Sequence, residues 1–265
     1  MLTSEQVASY REHGYLRVPQ VFTPEETEGL GRSLDWIIDT WASRTSGWTG
    51  PWRQKYMTEE VEKKSKLVSL HDLQFYSVEW MRAVTNPRLA AVLADLLGPN
   101  IELHHSTLHV KPPETGHPFP MHQDDPFYPH TDGRYVDVLV HLDDTSAANG
   151  EIRFLDGSHL GGRLEHITET ADGPCSPHLP TDQYRLEDTV PVPAKAGDVV
   201  CFSIHTVHGS YLNTTDRNRR MVRVGFRDPE NEQLGGQSHG RPGLIVAGER
   251  PRAAEQAVLT ERAVG

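Results

Sequence analysis

The run Tyr135-Val136-Asp137-Val138-Leu139-Val140-His141-Leu142 changes character at every step. Successive side chains of a β-strand point to opposite sides, so such a run reads as one strand with two different faces. Val136, Val138, Val140 and Leu142 make an aliphatic face, and Tyr135, Asp137, Leu139 and His141 make a mixed one. The same grammar continues outward. Ile101 to Lys111 is a strand candidate, and Asn149-Gly150 is a turn signal before Glu151 to Leu155, which ends at the turn Asp156-Gly157-Ser158. Ala196-Gly197-Asp198 turns into Val199 to Ile204, and Arg220 to Arg227 alternates again. Several short strands, separated by turns and not by helices, predict an antiparallel sandwich or jelly roll.

The first hundred residues follow a different period. Ser4 can cap a short helix ended by Gly14. Thr23-Pro24-Glu25-Glu26 has Thr as N-cap, Pro at the first helical position and Glu placed to close a capping box. That helix should run to about Trp41, with Leu30, Leu34, Ile37, Ile38 and Trp41 on one face. Asn86-Pro87 opens another helix, and Gly98-Pro99 closes it. Between them, Ser43 to Lys66 reads as a long loop, a common form for a lid. Trp48 and Trp52 in it are expected to anchor the loop, with stacking on a ring as the alternative. The expected layout is one domain over 1–265. It has a helical part over about 1–100, a jelly-roll core over about 101–230, and a loop and mobile tail over 231–265.

With 265 residues, 24% charged and 36% hydrophobic, the chain has the composition of a soluble globular protein. A net charge of −11 argues against nucleic acid and anionic membranes as partners, because phosphates are repelled. Two cysteines without a CxxC pair predict a reducing cytoplasm. MLTSEQVASYREHG shows neither the basic nor the apolar region of a secretory signal, and no apolar stretch is long enough to span a membrane.

The chemistry is carried by two segments. His122-Gln123-Asp124 places an imidazole and a carboxylate two residues apart, on one face if the segment is extended. His208-Gly209-Ser210 adds a second imidazole, and Arg219 follows eleven residues later. Two histidines and one carboxylate are what a facial triad needs to hold Fe(II) with positions left open for reactants. A short hairpin would set the His208 and Arg219 regions side by side, with Arg219 inward and Arg220 outward. An inward guanidinium needs an anion, so the set calls for a dicarboxylate co-substrate and O2. Ser210 can donate a hydroxyl to the same carboxylate. With fifteen histidines, rival assignments exist. His141-Leu142-Asp143 is a second H-x-D, but it sits inside a regular strand. His205 lacks an arginine eleven residues on, so His208 is preferred.

These residues, together with Lys111-Pro112-Pro113, Leu142-Asp143-Asp144, Asp156-Gly157-Ser158-His159, Lys195-Ala196-Gly197-Asp198 and Asn213, resemble the phytanoyl-CoA dioxygenase family of Fe(II)/2-oxoglutarate oxygenases over most of the chain. The resemblance implies a double-stranded β-helix, a cupin-like jelly roll, with flanking helices. It implies His122, Asp124 and His208 as iron ligands, with Arg219 and Ser210 on the distal carboxylate of 2-oxoglutarate. His109 would lie near the other end of the co-substrate. Leu139 would line the lumen where some members carry an aromatic. Asp124 is intact, unlike in family halogenases, which implies hydroxylation or a related C–H oxidation.

If Leu139 faces the lumen, Tyr135, Asp137 and His141 do too, and His105 and Thr107 share a face with His109. With Asp125 beside the triad, this predicts a polar pocket unlike a fatty acyl tunnel. The expected substrate is small and polar, a sugar-containing or amine-bearing natural product, oxidised by hydroxylation, ring closure or epimerisation. Two other readings stay open: a cupin-type metalloenzyme that does not use 2-oxoglutarate, and a non-catalytic jelly-roll binding protein.

Overall fold

A computed structural model describes residues 1–113, 116–241 and 243–250. The expected tail beyond residue 250 lies outside these residues. The strand Tyr135–His141 sits inside a large antiparallel sheet. Its neighbours are Val199–Ser203 on one side and Arg219–Arg227 on the other. Arg219–Arg227 continues to Ile101–Lys111, whose far edge carries Leu67–Ser69 and then Ser43–Thr45. Tyr15–Val18 closes the other end, against Val199–Ser203. A smaller sheet runs in the order Val190–Pro191, Arg153–Phe154, His208–Ser210, Phe119–His122. Two antiparallel sheets wrapped around a shared lumen are the jelly roll that the alternating runs predict.

The alternation decides which residues meet what. Val136, Val138 and Val140 join Val222, Val224, Leu108 and Val110 in the main apolar cluster, against Leu30, Leu34 and Ile37 of one helix and Leu89, Val92 and Leu93 of another. Complete burial of Leu34 or Ile37 contributes about 1.5–3 kcal/mol each. The opposite face of the same strands, with Asp137, Leu139, Met221 and Arg223, turns inward.

Helix Pro24–Thr40 has the expected Thr23 cap and capping box with Glu26. Helix Pro87–Leu97 is capped by Asn86 and stops at Gly98. Helix Ser4–His13 ends at Gly14, whose left-handed φ of 85° suits a glycine, but its N-cap is Thr3 and not Ser4. Trp41 falls just past the second helix and is exposed, so it is not part of the buried face. The Ser43–Lys66 segment is not a structureless loop: it holds strand Ser43–Thr45 and helices Arg53–Tyr56 and Glu59–Lys64. No helix among the described residues is long and apolar enough to cross a membrane.

Gly225 leaves room for a side chain of the neighbouring strand in the same sheet. A Cβ there would land on the Tyr135 hydroxyl, which is hydrogen-bonded to His104 at 2.8 Å. Gly225→Ala is expected to cost about 1–3 kcal/mol by overpacking, seen as a drop in Tm by calorimetry.

Candidate active site

His122 ends the strand Phe119–His122, and the register pairs it with His208 on the adjacent strand. The chain then leaves the sheet: Asp124 has φ −79° and ψ −23° and leads into the turn Asp125–Phe127. His122 and Asp124 therefore do not share one face of an extended strand, as the sequence suggests. The turn brings the carboxylate back toward the rings. Donor atoms of His122, Asp124 and His208 all lie within 4.8 Å of one another, and all three residues are buried. Asp124 Oδ1 is 3.6 Å from His122 Nε2 and 3.9 Å from His208 Nε2.

The tautomers are set by the backbone. His122 Nδ1 is 2.7 Å from the Pro120 carbonyl and His208 Nδ1 is 2.9 Å from the Thr206 carbonyl. A carbonyl can only accept, so both Nδ1 atoms carry a proton, and both Nε2 atoms are turned toward Asp124. Burial, reinforced by His122, pushes the His208 pKa down to about 3, so that imidazole is neutral. For Asp124, burial works against ionisation, but the nearby Arg223 guanidinium leads the groups that outweigh it and hold the carboxyl well below its usual range. Two imidazoles and one carboxylate in a buried pocket are a donor set that fits Fe(II).

Behind the triad, Arg219 is buried, and its Nε has no hydrogen-bond partner. Its Nη1 reaches only Met221 Sδ, at 3.4 Å. Burial lowers its pKa to about 10, against a weak opposing pull from Asp143. Lys111, opposite Arg219 in the strand register, is also buried. It donates to Ser210 Oγ at 2.8 Å and to the Tyr211 carbonyl. Burial and then Arg219 hold its pKa well below the ordinary lysine value. Among the described residues neither cation forms an ion pair. Two buried basic groups without an ion-pair partner are costly alone and fit the carboxylate of a diacid. His208–Ser210 and Arg219–Arg227 lie in different sheets, so Ser210 and Arg219 meet across the lumen and not along a hairpin. Arg220 does point outward, to Asp143 and Asp35. Lys111 was visible in the sequence only as part of a Lys-Pro-Pro motif; its partner Ser210 lies in the other sheet, which no local pattern signals.

The triad, Arg219, Ser210, His109, Leu139 and Thr107 line one cavity of about 830 Å³, its open mouth included. The other expected pocket residues lie elsewhere. Asp125 faces away and is held by Arg163 (2.5 and 2.9 Å), with His205 Nε2 at 3.6 Å. That places His205 outside the triad. Asp137 and His105 stand behind the wall, bound to Arg223 at 3.0 Å each. His141 is fully buried, with Nδ1 on the Leu139 carbonyl and Nε2 without a partner.

Arg223 is the residue the sequence reading missed, since four arginines between 219 and 227 read equally well as a solvated face. It lines the cavity, its Nη1 is 3.3 Å from Asp124 Oδ2, and it also bonds Asp137, His105 and the Tyr128 hydroxyl. Of the two tryptophans, Trp52 is buried and anchors its segment, while Trp48 reaches the cavity.

A jelly roll whose lumen combines this triad with an inward, unpaired cation has the build of a non-haem iron oxygenase. The sequence model of the phytanoyl-CoA dioxygenase (PhyH) family matches residues 10–221, and the chain belongs to that family. It is 27% identical over 226 residues to a probable α-ketoglutarate-dependent hypophosphite dioxygenase of Stutzerimonas stutzeri, covering 84% of this chain and 78% of the other. It is also 27% identical to an ectoine dioxygenase of Bordetella parapertussis, covering 87% and 77%. The fold matches that of the carbocyclase SnoK from nogalamycin biosynthesis, with a TM-score of 0.72, 23% identity and 94% of each chain covered. The chain is an Fe(II)- and 2-oxoglutarate-dependent dioxygenase, with O2 as the second co-substrate.

Proposed function

We propose that the whole chain works as one oxygenase domain that oxidises a C–H bond of a small polar natural product, by hydroxylation, ring closure or epimerisation. His122, Asp124 and His208 would hold the iron. Arg219, with Lys111 and Ser210, would hold the distal carboxylate of 2-oxoglutarate, and His109 and Leu139 would flank the co-substrate. Bound iron, with 2-oxoglutarate and O2, supplies the oxidant; in a hydroxylation one oxygen atom enters the substrate, and succinate and CO2 leave.

The protein's own residues do the positioning. The backbone carbonyls of Pro120 and Thr206 aim the two imidazoles. Arg223 engages Asp124 Oδ2 while Oδ1 faces the rings. The apolar set Leu139, Ile152, Phe202 and Met221 keeps the co-substrate end dry. That SnoK and the epimerase SnoN share this fold supports ring closure and epimerisation as outcomes such a barrel accommodates.

The observation that carries the reading is the Arg219 guanidinium, buried without an anion in the same cavity as the His–Asp–His cluster. Anaerobic addition of Fe(II) and 2-oxoglutarate is expected to give a visible charge-transfer band that neither gives alone. A colourless mixture would sink the assignment and favour a cupin metalloenzyme without 2-oxoglutarate, or a binding protein.

A further inference from the structure

The substrate half of the cavity has two unlike walls. One is aromatic: the Trp48 ring lies 4.7 Å from Phe127 at 29° and 5.0 Å from Phe119 edge-on, and 4.7 Å from the His122 ring. The other is polar and uncharged: Ser69, His71, Thr107 and Gln237.

Trp48 is held in place. Its backbone N–H donates to His117 Nε2 at 3.2 Å, and its carbonyl accepts from Arg53 Nη1 at 2.8 Å. Gly47 before it has φ +83°, and a Cβ there would run into the buried His117 ring. The half-exposed indole is thus set over the iron site by its own backbone, at the mouth.

Charge accounting sets the rest. The charged side chains lining the cavity are Asp124, Arg219 and Arg223. Asp124 belongs to the triad and Arg219, with Lys111 behind Ser210, to the co-substrate. Arg223 is already engaged: its Nη1 by Asp124 at 3.3 Å, Asp137 at 3.0 Å and the Tyr128 hydroxyl, its Nη2 by His105 at 3.0 Å, so it has no free fork to offer a substrate anion. His71, hydrogen-bonded to Thr107 at 3.0 Å, is kept neutral by burial and by Arg223, its pKa pushed down to about 4. A charged substrate group would lose its water here and find no unengaged partner of opposite charge, which is heavily penalised. An uncharged ring with a C–H face and hydroxyl groups on its edge satisfies both walls.

We propose that the substrate is presented to the iron as an uncharged, hydroxylated ring, a sugar or carbocycle, laid against the Trp48–Phe127 wall, with its hydroxyls toward Thr107, His71 and Gln237. This rests on the oxygenase reading above and excludes the amine-bearing alternative.

The test uses the full chain reconstituted with Fe(II) and 2-oxoglutarate, and reads succinate release. Phenyl β-glucoside, phenyl β-glucuronide and phenyl β-glucosaminide present one ring as a neutral, anionic and cationic probe. The neutral probe is expected to stimulate release over the substrate-free rate, and the charged two are not. Preference for either charged probe overturns the proposal, and so does indifference to all three. With the neutral probe, Trp48→Ala is expected to raise KM on the order of tenfold, while Trp48→Phe keeps most of the affinity. Equal KM in wild type and both variants also overturns it. The charge-transfer band needs no substrate, so an enzyme that forms the band and fails these probes refutes this inference alone.

Discussion

Asp124→Ala is expected to abolish turnover and to destabilise the fold at the same time, two effects with separate causes. Turnover fails because a ligand set of two neutral imidazoles keeps neither the charge nor the geometry that holds a ferrous ion. Binding of Co(II) as a calorimetric probe should weaken by at least about a hundredfold, in line with the loss of one of three protein ligands. The stability loss comes from Arg223. Removing one partner of a buried ion pair costs about 3–5 kcal/mol, because the other charge is stranded. Here Asp137 still sits 3.0 Å from the guanidinium, so the lower end of that range applies. A double variant separates the two causes. Asp124→Ala with Arg223→Met is expected to recover much of the lost Tm and none of the turnover. If the double variant is no more stable than Asp124→Ala, the Asp124–Arg223 pair is not what holds this wall together.

The sheet was legible because period-two alternation is a direct consequence of strand geometry: Val136, Val138 and Val140 had to be buried on one side, and Asp137 and Leu139 had to look the other way. The Thr23–Glu26 capping box and the Asn86-Pro87 start were legible for a similarly local reason, since the signal and the structure are a few residues apart. What failed was everything set by a change of direction. His122-Gln123-Asp124 looked like a strand, but the strand stops at His122, and a turn, not alternation, brings Asp124 back. Asp125 sits one residue further and points to Arg163 instead of the cavity. The Ser210–Arg219 meeting depends on two strands lying in different sheets, which no local pattern encodes. Arg223 escaped because inward and outward arginines on one strand differ only in what stands opposite. Opposite Arg223 stand Asp124 and Asp137, 99 and 86 residues away in the chain. Trp48 was recognised as a candidate, yet only the backbone hold on both its sides distinguishes it from the buried Trp52.

Arg219→Met is expected to raise the KM for 2-oxoglutarate by about 10²–10³-fold while leaving the fold intact or making it more stable. The first half follows from the loss of a charge-assisted, bidentate contact to a carboxylate in a water-poor pocket, worth about 3–5 kcal/mol when one partner is removed. The second half follows from the present state of the residue. Its Nε is unpartnered, its Nη1 has only a thioether, and burial has already lowered its pKa to about 10. A side chain that is costly in the absence of its ligand can be replaced by an apolar one of similar length without loss, and the neighbouring Met221, Leu139 and Phe202 offer it an apolar setting. The linkage between ligand and stability gives the readout. Wild type should gain Tm when 2-oxoglutarate is added, because the ligand binds only the folded chain, and Arg219→Met should not gain. Arg219→Lys should fall between, since an ammonium keeps the charge but not the planar fork. The opposite pattern, a lower Tm in the absence of ligand and an unchanged KM, would make Arg219 a structural cation and move the co-substrate carboxylate onto Lys111.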